Sequence, residues 1–272
     1  MIGTKELVAW LPTLVGASTV GYPSLAYPTY DVGARIAGAT GSVVDATVAV
    51  GPERLDLLWV NSPSNPTGAV LPAEHLRKVA DWGRDRGTVI ASDECYADLY
   101  YGDDLPVSVL SPEVCGGRHD GLLAVHSMSK RSNLAGYRAG FIAGDPSLVA
   151  KLLEIRKHAG MIMPAPVQAA MIAALGDDEH VVAQRSRYEA RRATLLAALR
   201  SAGFSVDATG AGLYLWSTRN EDCWDTVSWL AGRGILAAPG SFYGAAGAQH
   251  VRIALTATDE RVAAAAARLV SN

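Results

Sequence analysis

The chain of 272 residues carries a formal net charge of −3, and 49% of its residues are hydrophobic. This length can form one large domain and a smaller one, and the near-neutral charge provides no basic face that would bind nucleic acid. Its three cysteines are scattered without the spacing of metal ligands, so we expect no metal site, no disulfide framework and a reducing compartment. Because the sequence shows neither a signal peptide nor an apolar stretch of roughly 20 residues, we expect no membrane contact and take the cytoplasm as the default location.

The amino-terminal part of the chain alternates between strand-like and helical patterns. Strands are predicted near residues 18–24, 41–46, 55–60, 88–92, 121–126 and 139–143, and helices include 72–86 and 145–158. This alternation predicts an α/β fold, in which a mostly parallel sheet is covered by helices on both faces and ligand groups gather at the carboxyl ends of the strands. The last strand follows its predecessor too closely for a helical crossover, so it should run antiparallel. Residues 1–178 would form this large domain.

The carboxyl-terminal part has a different pattern. A helix of mixed charge, roughly 179–202, precedes predicted strands at 212–216 and 251–255. Residues 179–272 should therefore form the linking helix and a smaller α+β domain. Arg252 lies on the final short apolar strand, where a lone arginine is usually a solvated edge residue.

Two polar segments follow predicted strands of the large domain. The segment 61–68, Asn-Ser-Pro-Ser-Asn-Pro-Thr-Gly, should form a rigid turn that aims the Asn65 amide at a ligand. Asp93 ends the next strand, and Tyr96 follows three residues later. A carboxylate in an apolar site is costly unless it meets a cation, and a protonated pyridine nitrogen would supply one. Asn65 and Tyr96 could then hydrogen-bond the phenolic oxygen of such a ring.

A lysine flanked by hydroxyl groups follows a third predicted strand. Lys130 lies beside Ser127 and Ser129, and Arg138 follows eight residues later. The lysine amine can attach covalently to a carbonyl cofactor, while the two hydroxyls and the guanidinium are suited to a phosphate dianion. By itself the segment is also compatible with a basic, solvated surface loop. Combined with the two preceding segments, it predicts a pyridoxal phosphate enzyme.

In this order, the three segments resemble those of the fold type I pyridoxal phosphate aminotransferases, and the resemblance extends over essentially the whole chain. It implies that Lys130 attaches the cofactor, that Arg138 binds its phosphate and that Asp93 pairs with its pyridinium nitrogen. Tyr96 would contact the phenolic oxygen, and Asn65 matches the asparagine of the family's Asn-Pro-Thr-Gly motif.

Further positions are assigned by the resemblance. Gly3, Thr4 and Lys5 resemble the family's phosphate-binding turn at a helix start, although an ordinary capped helix would have the same sequence. Tyr27 matches the aromatic residue that stacks on the cofactor ring, whereas Tyr30 is expected to pack in the interior.

The resemblance also indicates a reaction. Arg252 matches the arginine that binds the substrate α-carboxylate together with Asn65, and the expected amino donor is glutamate, which yields 2-oxoglutarate. Segments 129–138 and 157–166 look like those of N-succinyldiaminopimelate aminotransferases of lysine biosynthesis, so N-succinyl-LL-2,6-diaminopimelate is the expected second substrate. A homodimer is also expected. Two alternatives stay open: a β-lyase that acts on cystathionine-like substrates, and a truncated, non-catalytic remnant that binds a partner.

The chain departs from the family pattern at its start. Only Met1 and Ile2 precede Gly3, which leaves no room for the strand that should lead into the phosphate-binding turn or for the family's amino-terminal arm. We therefore expect an amino-terminal segment to be missing. No residue of the sequence can take the roles that this segment has in relatives, including that of a tyrosine which reaches the cofactor of the partner subunit.

Overall fold

A six-stranded sheet forms the centre of the first part of the chain. The computed structural model describes residues 1–45, 47–51, 54–102 and 105–270. The strands of this sheet are β1 (Thr19–Tyr22), β2 (Thr40–Val43), β3 (Leu57–Asn61), β4 (Val89–Asp93), β5 (Leu122–Ser127) and β6 (Gly140–Gly144). Their order is β2-β1-β3-β4-β5-β6; the first five strands are parallel, and β6 is antiparallel to β5. The predicted α/β fold and the antiparallel last strand are therefore confirmed.

Helices cover both faces of this sheet and continue through the rest of the chain. They are α1 (Thr4–Val15), α2 (Thr29–Ile36), α3 (Ala73–Arg86), α4 (Pro112–Cys115), α5 (Met128–Arg131), α6 (Pro146–His158), α7 (Ala165–Leu175), α8 (Glu179–Ser201), α9 (Cys223–Ala231) and α10 (Asp259–Val270). Short 3₁₀ segments lie at Thr47–Val50, Ala135–Tyr137, Gly240–Tyr243 and Ala245–Gly247. Within the described ranges, none of the helices combines the length and apolar character that crossing a membrane requires. The predicted strand 41–46 ends at Val43, and residue 46 lies outside the described residues.

A second sheet of four antiparallel strands follows α8. Its strands are β7 (Ser205–Asp207), β8 (Tyr214–Thr218), β9 (Ala238–Pro239) and β10 (His250–Ala254), in the order β7-β8-β10-β9. The strands predicted at 212–216 and 251–255 correspond to β8 and β10 with small shifts. Apolar residues of α8 and α10 pack against this sheet in one core. The division into domains 1–178 and 179–272 stays a prediction.

Side chains of the central strands alternate between two apolar cores. Leu57 and Trp59 of β3 pack with residues of α1 and α2 on one face of the sheet, whereas Leu58 and Val60 pack with residues of α3 on the other face. Because successive strand residues point to opposite faces, this pattern is typical of a sheet that is buried on both sides. Full burial of one such side chain contributes roughly 1.5–3 kcal/mol. The sheet therefore fixes the positions of the groups at its carboxyl edge.

Three neighbouring strands end in polar residues at that edge. Asn61 ends β3, Asp93 ends β4 and Ser127 ends β5. The register pairs Asn61 with Asp93, and Asp93 with Val125. Since carboxyl ends of parallel strands lie at one side of the sheet, these three polar side chains come close to one another.

The start of α1 is fixed beside the same edge. Ile2 forms a bridge with Ala139, directly before β6. The Glu6 carboxylate accepts two hydrogen bonds, each 2.7 Å long, from the guanidinium of Arg156 in α6. This charge-assisted pair ties the first turn of α1 to α6. Gly3 precedes the helix with a φ of 72°, a left-handed conformation that glycine adopts without strain.

Candidate active site

A cavity of about 310 Å³ lies where the carboxyl edge of the first sheet faces the second sheet. The predicted site residues that line it are Thr4, Tyr27, Asn65, Asp93, Tyr96, Lys130 and Arg252. It is also lined by Pro28, Asn61, Cys95, Tyr214, Phe242 and Tyr243. The first sheet and its loops supply the lysine and the carboxylate, and the second sheet supplies the arginine. The cavity therefore depends on the contact between the two sheets.

Asp93 is a buried carboxylate that is held by neutral donors. Its Oδ2 accepts a hydrogen bond from the Tyr30 hydroxyl at 2.8 Å, and its Oδ1 accepts one from the Cys95 backbone amide at 3.2 Å. Asn61 Nδ2 donates to the backbone carbonyl of Asp93 at 2.9 Å. Burial raises the pKa of the Asp93 carboxyl above its usual value, although the hydrogen bonds oppose this shift. A cation in the cavity would therefore stabilise the charged form of Asp93.

Lys130 lies in the short helix α5, and its amine is close to a phenol. The Lys130 Nζ is 5.5 Å from the centroid of the Tyr96 ring, and in the described part of the chain it takes part in no hydrogen bond or ion pair. The Tyr96 hydroxyl donates a hydrogen bond of 3.4 Å to the Tyr214 hydroxyl. Burial raises the pKa of the Tyr96 phenol, and the neighbouring Tyr214 phenol raises it further. Lys130 thus has an amine available for covalent attachment beside a phenol that keeps its proton.

Groups that favour an anion gather at the start of α1. The Arg138 guanidinium lies against Gly3, so that a Cβ on this glycine would be 2.8 Å from Arg138 Cζ. Gly140 pairs with Ser127, and a Cβ on Gly140 would be 3.2 Å from Thr4 Cγ2. The Ser127 Oγ is buried and has no hydrogen-bond partner within the described residues. A helix amino terminus, a guanidinium and a free hydroxyl together suit a phosphate group.

Arg252 and Asn65 form another side of the cavity. Arg252 Nη1 donates to Asn65 Oδ1 at 2.8 Å. The Asn65 backbone amide donates to Asn61 Oδ1, also at 2.8 Å, and Asn61 in turn binds the carbonyl of Asp93. This series of hydrogen bonds connects β10 to the ends of β3 and β4. The position of the guanidinium therefore depends on the turn between β3 and α3.

Other predicted residues lie beside the cavity without lining it. Lys5 is exposed, and its Nζ is 5.7 Å from the centroid of the half-buried Tyr27 ring. Ser129 lies in α5 next to Lys130 but does not line the cavity. Gly3, Ser127 and Arg138 are likewise outside the lining, in the group around the start of α1. The structure therefore brings the predicted residues together as one cavity and an adjoining anion-binding region.

Several residues of the site are missed by the sequence analysis: Tyr30, Asn61, Tyr214 and Tyr243. Tyr30 is expected only to pack; it does stack on Trp59, with centroids 4.9 Å apart, but its hydroxyl also holds Asp93. Asn61 begins the same turn motif as Asn65, so the motif itself could have indicated it. The tyrosine on β8 could have been found only by pairing that strand with the one that carries Arg252.

The sequence as a whole matches a known family over nearly its full length. The profile of the family described as aminotransferase class I and II matches residues 1–269. The chain belongs to this family. Its mostly parallel first sheet and its antiparallel second sheet are those of fold type I aminotransferases.

Individual relatives of this chain are longer than the chain itself. The probable aminotransferase Rv1178 of Mycobacterium tuberculosis is 65% identical over 272 residues, which cover 99% of this chain and 65% of that protein. The 4-dedimethylamino-4-oxo-anhydrotetracycline transaminase OxyQ of Streptomyces rimosus is 60% identical, over 98% of this chain and 75% of that protein. The solved structure of a probable N-succinyldiaminopimelate aminotransferase from Thermus thermophilus has a TM-score of 0.86 at 28% identity and covers 99% of this chain and 76% of that one. The chain thus spans about two thirds to three quarters of the length of these relatives.

Aminotransferases of this family use pyridoxal phosphate, and the residues present here fit that cofactor. The Ser127 hydroxyl is buried without a partner in the described part of the chain, the Lys130 amine is available, and the Asp93 carboxylate is buried beside neutral donors. The phosphate of the cofactor would give the Ser127 hydroxyl a hydrogen-bond partner, and its aldehyde would react with the Lys130 amine. Its pyridinium ring would supply the cation that the Asp93 carboxylate lacks. Ser127, Arg138 and Lys130 could therefore hold one end of the cofactor, while Asp93 holds the other.

Replacing Asp93 by asparagine is expected to stabilise the cofactor-free chain at alkaline pH. A carboxyl whose pKa is raised by folding binds its proton more tightly in the folded state. The ordinary pKa of an aspartate is 3.8, and folding raises the pKa of Asp93 above it. As the pH rises through the range between these two values, the contribution of Asp93 to the free energy of unfolding therefore decreases. The Asp93→Asn chain should melt at a higher temperature than wild type at about pH 8, and this difference should shrink as the pH falls toward about 4. Circular dichroism melting curves across this range measure the effect.

Asp120→Asn is the matched control, because Asp120 is exposed in a turn. Its melting temperature relative to wild type should depend little on pH. If Asp93→Asn were less stable than wild type by the same amount at every pH, burial of the Asp93 charge would not be a cost to the folded chain.

Proposed function

We propose that this chain carries the active centre of a pyridoxal phosphate-dependent aminotransferase. The reaction would move an amino group between glutamate and a second amino acid. Glutamate becomes 2-oxoglutarate when it gives up its amino group. The observation that supports this proposal best is the single cavity that holds the Lys130 amine, the buried Asp93 carboxylate and the Arg252 guanidinium together. Each of these three groups corresponds to a different requirement of amino transfer.

The roles of the residues follow from their chemistry. When bound, pyridoxal phosphate supplies an electron sink that stabilises negative charge on the α-carbon of the amino acid. The Asp93 carboxylate would keep the ring nitrogen protonated, since a buried carboxylate and a nearby cation stabilise each other. The Lys130 Nζ would take the proton from the substrate α-carbon and return it during the transfer. General acid–base catalysis of this kind contributes about 10²–10⁴-fold to the rate.

Substrate orientation is the proposed role of Arg252 and Asn65. A guanidinium can bind an α-carboxylate through two parallel hydrogen bonds, and the 2.8 Å bond to Asn65 Oδ1 keeps this guanidinium at the cavity. A fixed carboxylate places the α-carbon of the substrate at a defined distance from the reacting groups. The same arrangement would accept glutamate and a second amino acid in turn.

The proposed second substrate is N-succinyl-LL-2,6-diaminopimelate, which would place the reaction in lysine biosynthesis. This choice is supported by segments 129–138 and 157–166 and by the likeness to the Thermus protein, a probable N-succinyldiaminopimelate aminotransferase. OxyQ, at 60% identity, is named for a different substrate, so the substrate assay with 2-oxoglutarate must include more than one amino donor. The cytoplasmic location stays a prediction.

A second copy of this chain is the proposed partner. Helix α7 has an almost entirely apolar sequence, yet none of its residues is buried, and Ile172 is 70% exposed. Ile162, directly before this helix, is 59% exposed. Contiguous exposed apolar surface of this kind is typical of an interaction face, and identical chains most often pair through one shared face. A homodimer formed through α7 would bury this surface.

Lys130→Ala is expected to abolish covalent attachment of pyridoxal phosphate and to lower transaminase activity by at least about 10²-fold, because the amine that attaches the cofactor and moves the proton is removed. In the wild-type chain, borohydride reduction of the loaded protein followed by peptide mass mapping should locate the cofactor on Lys130. Lys151→Ala is the control, since Lys151 is an exposed residue of α6, and its adduct should be that of wild type. A reduced adduct on any other lysine of the wild-type chain would refute this assignment.

Arg252→Lys is expected to lower kcat/KM for glutamate formation from N-succinyl-LL-2,6-diaminopimelate and 2-oxoglutarate by about tenfold or more. An ammonium cannot replace the planar two-pronged contact of a guanidinium, and a hydrogen bond to a charged group contributes about 1.5–3 kcal/mol. Arg118→Lys, at an exposed position, should leave the rate unchanged.

The same assay separates the competing functions. A rate within about twofold of wild type in Arg252→Lys would place the carboxylate site elsewhere. Glutamate formation from other amino acids, with none from the succinylated substrate, would correct the substrate and leave the aminotransferase proposal standing. Ammonia and pyruvate released from cystathionine, without glutamate formation, would favour a β-lyase.

A further inference from the structure

The guanidinium of Arg252 lies between two tyrosine rings. Its Cζ is 3.7 Å from the centroid of the Tyr214 ring and 4.7 Å from the centroid of the Tyr243 ring. A planar cation that contacts aromatic faces is attracted to them and loses freedom to rotate. The two tyrosines therefore restrict the directions in which Arg252 can present its donors to the cavity.

The β-sheet register explains why Tyr214 reaches the arginine. In the antiparallel pair of β8 and β10, Arg252 lies opposite Trp216, and Tyr214 lies opposite Ala254. Arg252 and Tyr214 are thus diagonal neighbours on one face of the sheet, a spacing that long and aromatic side chains can bridge. Tyr243 reaches the guanidinium from the 3₁₀ segment that follows β9. The contact with Tyr214 is therefore fixed by strand pairing.

The hydroxyl of Tyr214 extends this contact toward the lysine. It accepts the hydrogen bond of 3.4 Å from Tyr96, whose ring lies 5.5 Å from Lys130 Nζ. Burial works against ionisation of the Tyr214 phenol, but the Lys130 and Arg252 cations outweigh it and lower the pKa below its usual value. Burial raises the pKa of Tyr96, so Tyr96 is the donor and Tyr214 the acceptor.

We propose that Tyr214 is a positioning residue with two functions: its ring aligns Arg252 for the substrate α-carboxylate, and its hydroxyl links occupancy of that carboxylate site to the Tyr96–Lys130 side of the cavity. This inference rests on the proposed function, because it takes Arg252 as the carboxylate-binding residue. The charged and titratable groups that face Tyr214 in the described residues are Lys130, Arg252, Tyr96 and Tyr243. Neutralising Arg252 with a carboxylate leaves Lys130 as the remaining cation, so the Tyr214 phenol should bind its proton more tightly.

The first test measures binding of 2-oxoglutarate to the cofactor-free chain by isothermal titration calorimetry. Tyr214→Leu removes the ring and is expected to weaken binding about tenfold, which equals about 1.4 kcal/mol. Tyr214→Phe keeps the ring and should bind within about twofold of wild type. Tyr100→Leu is the matched control, because Tyr100 stacks on Arg185 away from the cavity, and it should bind as wild type does.

The second test measures ionisation of the phenol by ultraviolet absorbance at alkaline pH, again without the cofactor. In the pH range just below 10, the ordinary pKa of a tyrosine, wild type should show more tyrosinate than Tyr214→Phe, and 2-oxoglutarate should diminish this difference. Tyr22→Phe is the control, because burial and a hydrogen bond to Asp31 raise the pKa of Tyr22 to about 12. This variant should therefore show the same tyrosinate signal as wild type in that range.

The outcomes separate this inference from the proposed function. Equal affinity in wild type and Tyr214→Leu, or no binding by wild type, would overturn the role of the ring. Tyr214→Met serves the same comparison if the leucine variant does not fold. An unchanged tyrosinate signal in Tyr214→Phe would overturn the role of the hydroxyl. Since both measurements use the cofactor-free chain, a failure of transaminase activity would refute the proposed function and leave these results intact.

Discussion

The buried carboxylate of Asp93 is the group on which the rest of the site depends. Asp93 ends a central strand. The Tyr30 hydroxyl of α2 and the Cys95 backbone amide donate to its carboxylate, and Asn61 of β3 donates to its backbone carbonyl. Burial without a cation disfavours the charged form of this carboxylate and raises its pKa, although the hydrogen bonds oppose the shift. The side chain is buried at the end of a sheet that is covered on both faces, and it lines the cavity at the carboxyl edge. A cationic ring in the cavity would stabilise the charged form and be held in one orientation.

The geometry around this carboxylate links the two sheets. Asn61 contacts both Asp93 and the backbone of Asn65, and Asn65 accepts the hydrogen bond from Arg252. A displacement of the second sheet would therefore move Arg252 relative to the carboxylate. Tyr214 adds a second connection, since it touches Arg252 through its ring and Tyr96 through its hydroxyl. The site is consequently sensitive to the packing between the sheets as well as to its own side chains.

Sequence patterns predicted the parts of the site that are local in the chain. Asp93 ends one apolar strand and Lys130 follows another, so their placement at one sheet edge follows from strand order and direction alone. Tyr30 was harder to recognise, since a tyrosine in an amphipathic helix is usually a packing residue and its partner is 63 residues away. Tyr214 required knowledge of the register between β8 and β10, which apolar periodicity does not provide. Tyr30 and Tyr214 were therefore missed because their contacts depend on distant segments, whereas Asn61 lies within the local turn motif and could have been recognised.

The central claim, that Asp93 pairs with a protonated ring nitrogen, is tested most directly by comparing two ligands. One is pyridoxal phosphate, and the other is an analogue whose ring nitrogen is replaced by carbon. Their dissociation constants should be measured for wild type and for Asp93→Asn. The account predicts that wild type prefers pyridoxal phosphate by roughly tenfold or more, as expected for a hydrogen bond between charged groups, and that the preference largely disappears in Asp93→Asn. The same preference in both proteins would contradict the account, because the nitrogen would then be recognised by a group other than Asp93.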